Sequence, residues 1–362
     1  MVRRVGLSTG GGDAPGLNAV IRAFVKVAVG VHGLEVIGIE DGLAGLVGTP
    51  RIQPLSFREV RGLLPRGGTI LGTTNRGNPF RFPVRDATGS VSEVDVSSQV
   101  VESAKSLGLE GVVMLGGDGT LDIGRRLMDL GLPIIGVPKT IDNDLSATDA
   151  TFGFDTAVGI AAEALDRLHT TAESHDRVML LELMGRNAGF IALNAGLAGG
   201  ADFIVLPEIP YDLEAILACI ERRRTSGSHF AIGVVAEGAV SKHGELSLLG
   251  DAAPGGNARL HGAAAKLEAE LSRAGCPLEI RTTVLGHIQR GGTPSPADRI
   301  LATRFGVEAA NLAARGDWGK VVRLRTPDIE AVPLADALHT HRVDPEGQLI
   351  RQAEALGISF GR

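Results

Sequence analysis

Residues 2–28 read VRRVGLSTGGGDAPGLNAVIRAFVKVA, and the way this stretch divides decides the fold class. Val2–Leu7 is a short apolar run with the character of a buried strand. Ser8-Thr9-Gly10-Gly11-Gly12-Asp13-Ala14-Pro15-Gly16 comes next as a glycine turn. From Leu17 the period changes, and Val20, Ile21, Phe24, Val25 and Ala28 share one face of a helix. A buried strand, a tight turn and a helix make the opening half of a βαβ unit.

Working outward, the same alternation runs almost to the end of the chain. The pattern predicts strands at Glu35–Ile39, Gly111–Leu115, Pro133–Val137, Arg177–Leu183, Phe203–Leu206, Ala231–Ala236, Arg281–Leu285 and Lys320–Leu324. It predicts helices at Ser98–Leu107, Leu121–Leu130, Ala157–Ala172, Ala188–Leu197, Gly262–Ala274 and Ala297–Ala314. Another helix opens after Asp212, an N-cap residue, with Leu213, Ile216, Leu217 and Ile220 on one face. Apolar strands separated by single helices mean parallel sheets covered on both faces. More than ten such elements exceed one sheet, so an α/β fold of two domains is expected. The polar segment Ser241–Asn257 reads as a surface loop.

Composition narrows the function. The chain has 362 residues, 44% hydrophobic and 22% charged, which excludes wholesale disorder. Acidic residues number 42 against 36 basic ones, for a net charge of −6, which argues against a nucleic-acid partner. Cys219 and Cys276 supply neither a disulfide framework nor a zinc site. With no signal peptide and no long apolar run, a soluble cytoplasmic protein without a membrane partner is expected. Glycine is the outlier at 50 residues, roughly twice average usage. Such a count points to backbone positions that need unusual dihedrals or close approach by a ligand.

Ligands of doubly wound sheets sit beyond the carboxyl ends of the strands, so the residues just after each strand matter most. Gly10–Gly12 exposes backbone N–H groups ahead of a helix N-terminus, a setting suited to an anion. Gly116-Gly117-Asp118-Gly119-Thr120 again opens a helix, with a carboxylate among glycines. Beside a phosphate that carboxylate needs a cation, so Asp118 is a natural Mg²⁺ partner; the plainer alternative is a helix N-cap. In Pro138-Lys139-Thr140-Ile141-Asp142-Asn143-Asp144 two carboxylates lie two residues apart, suited to one proton acceptor and one supporting group. Arg177, Arg186, Arg281 and Arg290 stand near predicted strand ends, where planar cations suit phosphate. Glu237 lies just after a strand and could accept from a sugar hydroxyl.

GGGDAPGLNAVIRA at Gly10–Ala23, GGDGT at Gly116–Thr120, PKTIDND at Pro138–Asp144, MGRNAGFIA at Met184–Ala192 and GHIQRGG at Gly286–Gly292 together resemble the 6-phosphofructokinase family. The resemblance implies two Rossmann-like domains with mainly parallel sheets and an active site in the cleft between them. A donor domain would span 1–153 plus about 289–340, and a fructose 6-phosphate domain about 154–288 plus 341–362. It implies phosphoryl transfer to the C1 hydroxyl of fructose 6-phosphate. By motif, Asp142 is the general base, Thr140 binds the transferring phosphoryl region, Asp118 holds Mg²⁺ and Asp144 helps. Arg186 completes the catalytic set. Gly11, Gly12, Gly117, Gly119 and Thr120 would take the donor. Arg76 resembles the donor-contacting arginine, in a loop one residue longer than usual. Met184, Gly185, Arg186, Glu237, His287 and Arg290 would hold the sugar phosphate together with Thr140 and Asp142. Arg177 and Arg281 match arginines that reach across from a neighbouring subunit, so a homodimer or homotetramer is expected.

Members of the family differ in donor, and two residues speak to it. Pyrophosphate users carry an aspartate where Gly119 stands, and that side chain would collide with the α-phosphate of ATP. Lys139, by contrast, resembles the pyrophosphate users. Exclusion outweighs added attraction, so ATP is the expected donor and pyrophosphate the alternative. His169 and Ser228 fall where the family's effector pocket holds cations, although Arg22 is present and Lys26 stands near an arginine position. A weak or absent response to phosphoenolpyruvate is therefore expected. Kinases of NAD or of lipids share GGDGT but lack PKTIDND and GHIQRGG. A catalytically silent regulatory subunit tends to lose the base or the metal carboxylate, yet Asp118, Asp142 and Asp144 are all present.

Overall fold

The computed structural model describes residues 2–86, 89–244 and 262–362. Most of the expected polar loop, residues 245–257, lies outside the described residues. Strand β1 (Arg4–Thr9), helix α1 (Leu17–Gly30) and strand β2 (Glu35–Ile39) open the chain as the expected βαβ unit. Strand β3 (Ile52–Leu55) and a hairpin of β4 (Phe82–Arg85) and β5 (Val91–Val94) come next. They lead to α2 (Ser97–Ser106), β6 (Leu109–Gly116), α3 (Asp118–Asp129) and β7 (Ile134–Pro138). A second alternating run holds α4 (Phe154–His175), β8 (Arg177–Leu183), α5 (Phe190–Ala198), β9 (Phe203–Val205), α6 (Leu213–Thr225), β10 (Ala231–Ala236), α7 (Ala263–Arg273) and β11 (Glu279–Val284). The chain closes with α8 (Pro296–Arg315), β12 (Lys320–Arg325), β13 (Asp328–Pro333) and α9 (Gln348–Ala355). No helix among the described residues is long and apolar enough to cross a membrane.

Two compact units result. The first comprises residues 2–155 and Arg290–Thr340. Its seven-stranded sheet runs β13-β12-β7-β6-β1-β2-β3, parallel except for the two edge strands. Alternation along the strands explains the two covered faces. Val113, Leu115, Ile135 and Val137 join the core that holds Val20 and Phe24 of α1 and Phe305 and Ala309 of α8. Val112, Met114 and Ile134 point the other way, into the core with Val100 and Ala104 of α2 and Leu121 and Leu127 of α3. Helices α1 and α8 lie close because residue 306 is glycine. A Cβ there would sit 2.5 Å from the Val20 carbonyl oxygen. Burying a residue such as Phe24 completely stabilises the unit by roughly 1.5–3 kcal/mol.

Strand order reverses between β1 and β6, which are direct neighbours. Chain progress leads from β1 outward to β2 and β3, whereas β6, β7 and β12 extend the opposite side. The carboxyl ends of β1, β6 and β7 therefore surround the switch point, the place where such sheets bind ligands.

The second unit comprises residues 156–244, 262–289 and His341–Arg362. Its four strands are all parallel, in the order β11-β8-β10-β9. Val178, Leu180, Phe203 and Val235 pack with Ile216 and Ile220 of α6 and Leu267 and Leu271 of α7. Asp212 caps α6 as expected, its carboxylate accepting from Glu214 N at 3.0 Å. The end of the chain covers the β9 edge: Ile204 N donates to Ser359 O at 2.8 Å. That contact closes a row of backbone groups otherwise open to pairing.

Candidate active site

Three strand ends at the switch point supply the site of the first unit. After β1, Gly10 N donates to Leu115 O at 2.8 Å, which seats the first glycine turn against β6. The carbonyls of this turn are taken up by side chains. Thr73 Oγ1 donates to Gly11 O at 2.6 Å, the ammonium of Lys139 donates to Gly12 O, and Arg290 Nη1 donates to Asp13 O at 3.0 Å. Among the described residues the N–H groups of Gly11 and Gly12 donate no hydrogen bond. Fixing the carbonyls while leaving the N–H groups open suits a turn that receives an anion.

The second turn is built against the first. Thr120, in the first turn of α3, occupies the space a Cβ would need at both positions: 2.2 Å away from one at Gly116 and 2.9 Å from one at Gly10. Gly117 is the N-cap residue of α3 and makes no side-chain cap, so Asp118 is the first helical residue and not the N-cap. Asp118 is exposed. A Cβ at Gly119 would meet nothing within 4 Å.

Beyond β7, Lys139 N donates to Gly116 O at 2.9 Å and holds the third loop beside the second turn. Asn143 adopts a left-handed conformation at φ 52°, and its side-chain oxygen accepts from Thr151 N at 2.8 Å. Thr140 Oγ1 accepts from Asp142 N at 3.1 Å. The loop is thus bent at Asn143 rather than extended between Asp142 and Asp144.

Burial and mutual repulsion set the charges here. Asp142 is half-buried, and loss of water raises its pKa, opposed by Arg290 and Lys139. Asp144 is pushed up to about 6, first by burial and then by Asp142 and Asp118. Lys139 is 4% exposed and is brought down to about 8, mainly by burial and then by Arg290. Among the described residues no three His, Cys, Asp or Glu side chains form a ready metal cluster. Mg²⁺ usually takes only one or two carboxylates together with phosphate oxygens. Asp118, exposed and acting on both Asp142 and Asp144, fits that description.

Of the residues singled out in the sequence, Gly11, Gly12, Gly117, Asp118, Gly119, Thr120, Lys139, Thr140, Asp142, Asp144 and Arg290 gather at these three strand ends. Arg76 is exposed, two residues beyond Thr74, in the loop that Thr73 ties to the first turn. Thr73 itself gives no signal in the sequence, because its role is a tertiary hydrogen bond with no local pattern.

The second unit gathers another set. Glu237 N donates to Leu183 O at 2.9 Å and Gly238 N donates to Gly185 O at 3.1 Å, so the end of β10 lies against Met184, Gly185 and Arg186 after β8. Leu285 N donates to Glu182 O at 3.0 Å and brings the turn with His287 to the same side. Gln289, fully buried, accepts from Met184 N at 2.8 Å. The GHIQRGG motif contains Gln289, but only the fold reveals that it orients the Met184 turn. Arg177 and Arg281 do not join this set within one chain. Arg177 opens the seven-residue β8, roughly 20 Å from the far end of that strand. Arg281 is the third residue of β11, and both arginines pair with Glu279. His169 Nε2 donates to Gly199 O at 2.7 Å, and Ser228 Oγ donates to Phe230 O at 3.2 Å.

Comparison with known proteins converges on one group. A family model described as Phosphofructokinase matches residues 4–313. An ATP-dependent 6-phosphofructokinase of Chloroflexus aurantiacus is 51% identical over 99% of this chain and 98% of its own length. A pyrophosphate–fructose 6-phosphate 1-phosphotransferase of Streptomyces coelicolor is 48% identical, covering 99% of this chain and all of its own. Among solved structures, phosphofructokinase from Saccharomyces cerevisiae superposes with a TM-score of 0.74 at 30% identity. The match covers 93% of this chain and 45% of the yeast chain.

Proposed function

Since the chain belongs to the phosphofructokinase family, we propose that it transfers a phosphoryl group from ATP to the C1 hydroxyl of fructose 6-phosphate. The products are fructose 1,6-bisphosphate and ADP, the step that commits the sugar to glycolysis. One observation carries the reading. The Asp142 carboxyl, its pKa raised by burial and faced by Lys139 and Arg290, stands beside two glycine turns at the switch point of the first sheet.

Phosphoryl transfer needs positioning, charge neutralisation and one proton acceptor. Asp142 takes the proton from the C1 hydroxyl as its oxygen attacks the terminal phosphorus, and the bond to the departing ADP oxygen breaks. Gly11 and Gly12 offer N–H groups to the donor, with Gly117, Gly119 and Thr120 opposite them and Arg76 on the adjoining loop. Thr140 positions the transferring group. Asp118 would hold Mg²⁺ with Asp144 in support, and the ion when bound neutralises the donor's phosphates. In the second unit, Met184, Gly185, Arg186, Glu237 and His287 hold the sugar phosphate, joined by Arg290 and by Arg177 and Arg281 of a neighbouring subunit in a homo-oligomer. Arg177 stands at the start of β8, the opposite end of that strand from Met184, which supports a site shared between subunits.

Gly119 supports ATP, because the space beside it is open. Lys139 favours the second reading, pyrophosphate as donor, yet its ammonium is engaged with Gly12 O. A coupled assay with fructose 6-phosphate, Mg²⁺ and either donor tests the proposal. Turnover with ATP is expected. Turnover with pyrophosphate alone establishes the second reading, and silence with both makes the chain a non-catalytic subunit.

A further inference from the structure

Glu279 and Arg177 open neighbouring strands and face each other directly in the parallel register of β11 and β8. Arg281 lies two residues beyond Glu279, on the same face of β11. One carboxylate therefore stands between two guanidinium groups and spends a different oxygen on each. Oε2 accepts from Arg177 Nε at 2.5 Å, and Oε1 accepts from Arg281 Nη2. Arg281 Nη1 donates to the carbonyl of Ile280 at 3.0 Å, so this side chain is folded back along its own strand. The surface pair Arg224–Glu221, by contrast, matches one arginine to one carboxylate.

We propose that Glu279 is an internal counter-ion that occupies the Arg177–Arg281 pair until a phosphate monoester displaces it, and so sets the affinity of the enzyme for its sugar phosphate. The inference rests on the reading that these two arginines take the phosphate of fructose 6-phosphate.

Charge and shape support an exchange over a permanent structural link. Two guanidiniums and one carboxylate leave a net charge of about +1, whereas a phosphate monoester brings about −1.5 to −2 and three acceptor oxygens. The phosphate thus satisfies both arginines better than Glu279 does. The group that leaves is easily rehydrated, because the Glu279 side chain is 46% exposed and that of Arg281 is 52% exposed. Arg177 and then Arg281 hold the Glu279 carboxyl below its ordinary range, so the carboxylate is charged and competing at neutral pH. Exposed pairs of this kind are weak, which limits the effect to about a two- to five-fold change in binding. Displacement involves no covalent step. Glu279 swings into water, and Arg281 unfolds from Ile280 O as it reaches the phosphate.

Glu279→Gln is the decisive variant. It keeps the shape and one hydrogen bond but removes the competing charge, at an exposed site where folding is not at stake. The expected result is a KM for fructose 6-phosphate lowered about two- to five-fold, with kcat and the donor KM unchanged. Inorganic phosphate, used as a competitive probe, should bind more tightly by a similar factor, and raised salt should narrow both differences. An unchanged or higher KM overturns the proposal; a higher one would make Glu279 a buttress for the arginines. Arg177→Ala separates the phosphate site from the counter-ion. If its KM for fructose 6-phosphate does not rise, the arginine pair is not the phosphate site. If that KM rises while Glu279→Gln has no effect, only the counter-ion role fails.

Discussion

The ammonium of Lys139 donates to the carbonyl oxygen of Gly12, tying the loop after β7 to the turn after β1. A residue whose type points towards a pyrophosphate donor is thereby engaged in shaping the turn. Arg290 acts beside it on the Asp13 carbonyl. Two buried or half-buried cations thus orient one short piece of backbone.

Replacing Lys139 by Met should loosen that turn, raising the KM for ATP about tenfold, the effect of losing one charge-assisted hydrogen bond. Stability should move the other way. With a folded pKa of about 8 against an ordinary 10.5, Lys139 binds fewer protons in the folded state between those values, so it destabilises below pH 8 and progressively less above. Melting curves at pH 7 should favour the variant by up to roughly 3 kcal/mol. The gap should shrink as pH rises towards 10. An equal gap at both pH values would remove Lys139 from the charge balance.

Asp142→Ser should lower kcat by roughly 10²–10⁴ with little change in either KM, the loss typical of a missing general base. Steady-state rates with ATP and fructose 6-phosphate decide it. Near-normal kcat would take Asp142 out of the mechanism.

For Asp144 the sign comes from a pKa pushed up to about 6 from an ordinary 3.8. The folded state binds more protons between those values, so the charged carboxylate destabilises above pH 6 and has no effect below about pH 4. Asp144→Asn should therefore be more stable at pH 7, on the order of 1 kcal/mol after solvent screening, and equal to the parent at pH 3.5. Denaturant midpoints at the two pH values measure this. Mg²⁺–ATP should reverse the ranking, because the carboxylate then gains a cationic neighbour.

Gly119→Asp meets open space, so its melting temperature should stay near that of the parent. Any loss of activity then comes from the ligand. A carboxylate against the α-phosphate should reduce kcat/KM for ATP at least about 100-fold, the effect of several kcal/mol of like-charge repulsion. Intact ATP turnover would rule out exclusion at this position.

Much of this architecture is legible in the residues. The run Gly111–Leu115 lies within β6, and Glu35–Ile39, Arg177–Leu183 and Ala231–Ala236 are strands as bounded. Buried parallel strands announce themselves because both faces are apolar. Edges are harder to read. β3 carries Pro54, β5 is exposed throughout, and β13 alternates with Asp328 and Glu330, so none has a continuous apolar run. In the site, residue types near the strand ends are evident, but the partners of the first turn are not. Thr73 and Arg290 reach it from 62 and 277 residues away, and no local spacing encodes such contacts.

Helix α8, which Gly306 lets settle against α1, is made some 280 residues after α1 begins. During synthesis on the ribosome, the core that includes Val20 and Phe24 of α1 must wait for the part of its cover that α8 supplies, and β12 must still join the sheet beside β7. A nascent chain halted before Pro296 would have the strands beneath α1 but would leave open to water the flank of α1 that α8 covers. The portion translated earliest is therefore sealed only by one of the last helices to be made.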